Sequence, residues 1–376
     1  MNILITGING FIAKNLFYRL NERDNFHIEG IVRGESSRAI SKKIQSADFI
    51  FHLAGENRST AEDDFTNNNH IFTKLICDEL IKINSKAIVL FSSSTQATKN
   101  NVYGQSKKLA EDELLNLQAT NKNPVLIYRL PGIFGKWAKP NYNSVVATFC
   151  HNIANNKEIK INNGDSLLEL SFIDDVVEDF INALDNRETI FKEAKALYKK
   201  PSATYEITVN ELAVLINKFK GNRSICKIDN IANGLEKLLY STYLTYLPHQ
   251  DFTYDIDSNS DERGIFTEFI KSLDLGQISF FTIKPNAVRG MHYHNLKIEK
   301  FLVVCGVGEF VFENIDSKEK LKFQLSVDDS KVIETIPGMA HSIKNIGSET
   351  LVVLAYANEV FDENQPDTYH YKINHE

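Results

Sequence analysis

No stretch of the chain concentrates lysine and arginine, and no apolar run reaches the roughly eighteen residues that a membrane-spanning helix needs. The four cysteines are scattered. Each absence removes a class of function. Binding along a nucleic acid requires clustered basic side chains, and the net charge of -7 points the other way, so no nucleic-acid partner is expected. No membrane partner is expected either. Cys77, Cys150, Cys226 and Cys305 show no metal-ligand spacing and read as reduced thiols, which sets the expectation of a cytoplasmic protein. The opening MNILITG is a buried-strand pattern with no charged region ahead of a cleavage site, so it does not read as a signal peptide. The chain carries no internal repeat and no low-complexity tract.

What is present is a globular composition, 43% hydrophobic and 24% charged, in 376 residues, more than one ordinary core holds. Short apolar runs at Ile3–Thr6, His27–Val32, Phe49–Leu53, Ala87–Phe91 and Val125–Tyr128 alternate with helical patterns such as Ile71–Lys82 and Gln105–Gln118. That alternation predicts an α/β domain with a parallel, doubly wound sheet. Thr204–Leu239 reads as helical, with Thr208 as a cap ahead of ELAVLINKF. The polar stretch Tyr246–Gly264 reads as a linker. Beyond it, strand patterns at Phe266–Lys271, Gln277–Ile283, Glu299–Cys305, Glu309–Glu313, Leu321–Leu325, Lys331–Thr335 and Leu351–Ala357 predict a small antiparallel barrel or jelly roll. The expected domains are therefore 1–245 and 246–376.

Three features of the first domain carry chemistry. The turn Thr6-Gly7-x-x-Gly10-x-x-Ala13 follows the first strand and opens a helix. Its glycines let backbone approach a pyrophosphate, and the helix N-terminus supplies amide donors and a positive dipole end. Gly7, Asn9, Gly10, Phe11 and Ile12 are the candidate cofactor residues there. The second strand ends at Val32-Arg33-Gly34, where an acidic residue would favour NAD; Arg33, with Arg38 as a second, suits the 2′-phosphate of NADPH. Downstream, Ser92-Ser93-Ser94 is followed by Tyr103-Gly104-Gln105-Ser106-Lys107. Tyr103 and Lys107, four apart, share a helix face, and an ammonium beside a phenol lowers the phenol's pKa. The phenol then serves as a proton donor to a carbonyl oxygen, which a strand-end serine polarises. Spacing does not separate Ser93 from Ser94; Ser94, last on the strand, is favoured.

With TGINGFIA, DFIFHLAG, the Asn69-x-x-x-Thr73 helix start, FSSS, YGQSK, RLPGIFG and FIDDVV, residues 1–245 resemble the extended short-chain dehydrogenase/reductase superfamily of Rossmann-like fold. The resemblance implies Ser94, Tyr103 and Lys107 as the catalytic trio and His52, Ala54 and Gly55 as part of the cofactor wall. It implies nucleotide sugars as substrates. Two departures stand out: about fifteen residues separate Arg33 from Asp48, few for the usual adenine-contacting strand, and Gly132 stands where relatives often have a substrate-binding Asn.

In the second domain, His292-x-His294-x4-Glu299 is followed by Pro337-Gly338-x-x-His341. Residues i and i+2 of a strand point to one face, so His292 and His294 are presented together, and Tyr293 faces away. Three imidazoles and a carboxylate suit a divalent ion, zinc first, with nickel, iron or manganese as alternatives. These motifs are similar to those of the cupin superfamily of jelly-roll barrels. Asp261-Glu262-Arg263-Gly264-x-Phe266-x-Glu268 is similar to the start of cupin-fold sugar-nucleotide 3,5-epimerases.

The pair of domains resembles the capsular polysaccharide biosynthesis enzymes that join such a reductase to a cupin. That resemblance implies a UDP-sugar substrate on the way to UDP-N-acetyl-L-fucosamine. The cupin would epimerise C3 of UDP-2-acetamido-2,6-dideoxy-4-hexulose, and the reductase would reduce its C4 ketone with NADPH to UDP-2-acetamido-2,6-dideoxy-β-L-talose. Lys297, Glu268 and Arg263 are candidate epimerisation bases. Two other readings stand beside this one: a reductase whose cupin is structural or dimerising, and a non-catalytic NADP-sensing protein. A homodimer is expected.

Overall fold

The computed structural model describes residues 1–58, 62–229 and 231–374, which divide into two compact units, Met1–Asn217 with Asn233–Pro248, and Lys218–Ala232 with His249–Glu376. In the first unit the chain runs β1 (Asn2–Thr6), α1 (Phe11–Asn21), β2 (His27–Ile31), α2 (Ser37–Ser46), β3 (Phe49–His52), α3 (Glu62–Phe65), a π-helical turn (Thr66–Ile71) and α4 (Phe72–Lys82). There follow β4 (Ile88–Ser94), α5 (Val102–Asn121), β5 (Val125–Leu130), β6 (Gly132–Phe134), α6 (Val145–Ala154), β7 (Leu167–Phe172), α7 (Ile173–Asp185), α8 (Arg187–Glu193), β8 (Ala196–Lys199) and β9 (Tyr205–Thr208). Helix α9 (Val209–Ser224), which belongs to this unit as far as Asn217, and α10 (Gly234–Leu244) complete the run.

The main sheet has the order β2-β1-β3-β4-β5-β8, with every pairing parallel. Strands β3, β4 and β5 are apolar on both faces because both are covered: α1 and α7 pack on one side, and α2, α4 and α5 on the other. A Rossmann-like fold of this kind exposes the carboxyl ends of its strands along one edge, where ligands bind. A smaller sheet, β6-β7-β9, forms beside it. Thr208 does cap α9: its hydroxyl accepts the Glu211 N–H at 3.2 Å while the Glu211 carboxylate accepts the Thr208 N–H at 2.8 Å. The expected helix over Thr204–Leu239 is otherwise corrected, since it opens with strand β9 and breaks between α9 and α10.

The second unit holds β10 (Ser258–Asp261), β11 (Gly264–Ser272), β12 (Gly276–Ile283), β13 (Val288–Tyr293), β14 (Glu299–Cys305), β15 (Val307–Asn314), β16 (Lys320–Ser326), β17 (Val332–Glu334), β18 (Met339–Asn345), β19 (Leu351–Ala357) and β20 (Tyr369–His370). They form two antiparallel sheets, β10-β11-β12-β19-β14-β17 and β16-β15-β18-β13-β20. Phe281, Phe301 and Val353 from the first sheet meet Phe310, Phe312 and Ile343 from the second in one apolar core, as in a jelly roll. The expected linker Tyr246–Gly264 is corrected at its end: β10 pairs with β11 although Ser-Asn-Ser-Asp has no apolar face, because it is an exposed edge whose backbone is satisfied by the hairpin. Residues Cys226–Ile228 extend the same edge of β11, through hydrogen bonds between Ile228 N and Lys271 O (2.7 Å) and Lys271 N and Cys226 O (2.8 Å).

Candidate active site and metal centre

The turn between β1 and α1 lines a cavity of about 500 Å³ with Gly7, Asn9 and Gly10. Gly7 has φ +65°, and a Cβ there would lie 2.8 Å from Ala54 Cα, so no side chain fits between turn and wall. Gly10 precedes α1 with no side chain capping the helix, which leaves its first amides available to an anion. The side chains of Phe11 and Ile12 pack against the apolar core, so it is their backbone amides, the first of α1, that are open to such an anion. Ala54 and Gly55 line the cavity.

His52 does not. It is wholly buried, between Thr6 and Thr73. Leu53 and Ala54 N–H groups donate to Thr6 Oγ1, whose own hydroxyl donates to His52 Nδ1 at 2.8 Å. Thr73 donates to Asn69 O at 2.5 Å, so its oxygen accepts His52 Nε2–H at 2.8 Å. Burial, with the nearby Lys107 charge, pushes the imidazole down to about 3 and keeps it neutral. His52 thus sets the wall from behind, a role its position in the strand did not disclose.

At the cavity's outer edge Arg33 is 75% exposed, with one guanidinium N–H donating to Glu56 at 2.8 Å. Glu56 also accepts from the Tyr142 hydroxyl. Glu35, which the sequence reading passed over, lines the cavity too, but its carboxylate is taken by Val32 N–H (2.9 Å) and Lys43 (2.7 Å). Arg38 is exposed and does not line the cavity. Asp48 accepts the Asn2 N–H at 2.8 Å and fastens β3 to β1.

The three serines at the end of β4 part company. Ser93 donates to Glu111 at 2.6 Å inside the fold. Ser94 faces the Tyr103 hydroxyl, whose pKa its side chain lowers, and accepts the Gln96 N–H at 3.1 Å. The geometry therefore separates the two candidates, turning Ser94 to the phenol and Ser93 away. Lys107, 4% exposed, donates to Ser92 O at 2.9 Å and lies 4.8 Å over the Phe91 ring. A Cβ on Gly55 would sit 3.0 Å from Lys107 Nζ, so the ammonium abuts the cavity wall. Burial lowers Lys107 to about 8. The expected lowering of the Tyr103 pKa is corrected: burial raises it, and the neighbouring Ser94 offsets this only in part. Gly104 brings α5 against the turn before it, since a Cβ would meet Gln96 O at 2.2 Å.

Asn69 was read only as part of a helix start. In the π-helical turn it is buried, accepts Glu56 N–H at 2.8 Å, and donates to Glu56 O and Ser106 Oγ, both at 2.9 Å. It ties the cavity wall to the helix that carries Tyr103. Beyond Ser94, Thr95, Gln96 and Lys99 line a second cavity of about 390 Å³, with Gly132 and Glu169 opposite. Gly55, beside Lys107, thus lines the first space, and Thr95, next to Ser94, lines the second.

In the second unit the ligand atoms of His292, His294, Glu299 and His341 all lie within 4.8 Å of one another. His292 and His341 are directly paired across β13 and β18, after a bulge at Met291. His294 Nδ1 lies 2.6 Å from the Asp367 carbonyl, which can only accept, so in the neutral ring Nε2 carries the lone pair. That lone pair faces Glu299 Oε2 at 3.1 Å, and His341 Nε2 faces the same oxygen at 3.3 Å. The His294 lone pair aimed at a carboxylate needs positive charge between them, and a divalent cation meets that need with its preferred donors, as it would for the buried His341 ring, whose Nδ1 has no hydrogen-bond partner among the described residues. Burial alone would raise Glu299; contacts with His294 and His341 hold it well below the usual range. Burial, with the neighbouring His341, pushes His292 down to about 3, leaving a neutral ligand nitrogen.

Tyr293 faces away and stacks on Tyr369. Of the three candidate bases, Lys297 is buried and its charge acts on His292. Glu268 is paired with Lys271 at 2.6 Å, and Arg263 with Asp261 at 2.6 Å.

The family model described as "NAD dependent epimerase/dehydratase family" matches residues 3–194, and that described as "Polysaccharide biosynthesis C-terminal domain" matches 259–369. The chain is 43% identical over 370 residues, 98% of each chain, to a Pseudomonas aeruginosa protein named UDP-2-acetamido-2,6-beta-L-arabino-hexul-4-ose reductase. It is similar to the crystal structure of the capsular polysaccharide assembling protein CapF from Staphylococcus aureus, with a TM-score of 0.91 and 40% identity over 99% of this chain and 100% of that one. A UDP-glucuronic acid 4-epimerase from Bacillus cereus matches 59% of this chain and 83% of its own at 18% identity and a TM-score of 0.51, a likeness of fold alone.

Proposed function

The chain belongs to the NAD dependent epimerase/dehydratase family, as a CapF-like capsular polysaccharide biosynthesis protein, and from that premise we propose a bifunctional enzyme of UDP-sugar biosynthesis. Its first unit reduces the C4 ketone of a UDP-2-acetamido-2,6-dideoxy-4-hexulose with NADPH. Its second unit inverts C3 of the same sugar beforehand, so that the product is UDP-2-acetamido-2,6-dideoxy-β-L-talose. The observation that carries the reading is the trio of Ser94 at the end of β4 with Tyr103 and Lys107 on α5, Ser94 facing the phenol and Lys107 against Gly55 of the first cavity's wall.

Gly7, Asn9, Gly10, Ala54 and Gly55 would hold the dinucleotide, with Arg33 at the 2′-phosphate. His292, His294, Glu299 and His341 would hold zinc. When bound, NADPH supplies the hydride and the divalent ion supplies charge that polarises an oxygen. Ser94 donates a hydrogen bond to the C4 oxygen. Tyr103 gives that oxygen its phenolic proton as negative charge develops, and the Lys107 ammonium supports the resulting phenolate. In the second unit the C3 proton is acidic because the adjacent ketone accepts the charge its removal leaves, and Lys297, whose charge acts on His292, stands with Glu268 and Arg263 as a candidate base.

The two activities are separable. Tyr103→Phe should abolish NADPH oxidation with a UDP-4-keto-6-deoxy-HexNAc and leave exchange of the C3 proton with deuterated water intact; loss of both refutes the division of labour. Stripping the metal should abolish the exchange. If it lowers the melting temperature and leaves exchange untouched, the second unit is a structural module.

A further inference from the structure

We propose that Asp367 is a positioning residue of the metal centre, and that the segment Pro366–Thr368 is a strap whose docking and ion binding reinforce one another. The inference rests on the reading of His292, His294, Glu299 and His341 as metal ligands. It starts from a residue more than seventy positions from His294 that contacts the ligand loop by both of its polar ends. The Asp367 carbonyl accepts His294 Nδ1–H at 2.6 Å, which fixes the tautomer with Nε2 toward Glu299. Its carboxylate accepts the N–H groups of Asn295, Leu296 and Lys297 at 3.0, 2.8 and 2.8 Å. These three successive amides form a concave turn that the carboxylate fills.

The neighbours on the strap add to the clamp. Lys297 Nζ donates to Thr368 Oγ1 at 3.1 Å, and the Thr368 hydroxyl donates to Pro366 O at 2.8 Å. Directly after, β20 pairs with β13, setting His370 beside His292 and Tyr369 beside Tyr293. One short segment therefore touches the ligand-bearing stretch from His292 to Lys297. Asp367 adopts φ +35°, a conformation a non-glycine residue rarely takes, which the surrounding hydrogen bonds hold in place.

A ligand imidazole held by a hydrogen bond on its far nitrogen loses less freedom on binding and is a better donor, and losing such a partner typically costs metal affinity about 10–100-fold. By linkage, an ion that gains from a docked strap must stabilise that docking by the same factor.

The test uses the full chain and zinc alone, by chelator competition, with limited proteolysis of the C-terminal segment in parallel. Asp367→Ala keeps the backbone carbonyl but removes the carboxylate that seats it against His294, and by undocking the strap should weaken zinc binding about 10–100-fold and abolish the protection that zinc gives the wild-type segment. Asp367→Asn, which keeps one acceptor oxygen, should fall between; it carries the test if Asp367→Ala does not fold. Glu313→Gln, which removes the charge that pairs with Lys320 and keeps an acceptor for Tyr371 further along the chain, should leave zinc affinity unchanged. Zinc affinity in Asp367→Ala within about 3-fold of wild type overturns the strap and leaves the metal centre standing. A wild-type chain that binds no zinc overturns the metal centre itself, and the strap with it.

Discussion

Burying the ammonium of Lys107 should cost the first unit stability near neutral pH and return it in alkali. The side chain is 4% exposed, and its pKa falls from 10.5 to about 8 because burial disfavours the charge. At about 1.4 kcal/mol per unit, the charged lysine costs roughly 3 kcal/mol at neutral pH. The unfolded chain keeps the ordinary lysine pKa, so above about 8 it binds the more protons, and stability contributed at this site rises with pH. Between about pH 7 and pH 9 the penalty should shrink by roughly 1 kcal/mol. Lys107→Met abolishes the titration. Comparing the two proteins at both pH values cancels every other group. Trp137, the chain's single tryptophan, lies in this unit, so its fluorescence in a urea titration follows the relevant transition. Wild type should gain about 1 kcal/mol on the variant over that interval. A difference that stays flat, or moves the other way, refutes the claim that burial governs Lys107. The same proton should appear in catalysis, as a fall in kcat/KM for NADPH oxidation above about pH 8, where the free enzyme loses the ammonium.

Arg33→Ala should reduce the ratio of kcat/KM for NADPH over NADH by about 10–100-fold, the worth of a charge-assisted hydrogen bond to phosphate, with NADH kinetics nearly unchanged; an unchanged ratio removes Arg33 from the cofactor site. Glu111 is fully buried and accepts from Ser93, Arg129 and Tyr198. Glu111→Gln should destabilise the first unit by about 3–5 kcal/mol by leaving Arg129 without its counter-charge, read by the same tryptophan; adding Arg129→Met should recover part of the loss, and a double variant as unstable as the sum of both contradicts the pairing.

The apolar runs of the parallel sheet were plain in the sequence, because strands covered on both faces have no polar alternation to confuse them: β3 is Phe-Ile-Phe-His and wholly buried. The gathering of His292, His294, Glu299 and His341 was legible in part, since strand periodicity puts His292 and His294 on one face. What escaped depended on partners distant in sequence or on local irregularity. The π-helical turn Thr-Asn-Asn-Asn-His-Ile has no hydrophobic period, yet it aims Asn69 at Ser106. Strand β10 has no apolar face to announce it. His52 looked like a wall residue because it ends a strand, and only the hydroxyls of Thr6 and Thr73, 46 and 21 positions away, show that it faces inward. The phenol's pKa went the other way because spacing tells of a neighbouring charge but not of the water that burial removes.

The excursion of Lys218–Ala232 into the second unit has a practical consequence for dissecting this polypeptide. A single scission at the apparent junction near Pro248 would leave the β-rich fragment without the residues that continue its sheet at Lys271, and would leave those residues dangling from the reductase fragment. Chimaeras between relatives therefore call for two crossover points flanking the excursion, or for both fragments expressed together so that the missing edge is donated in trans.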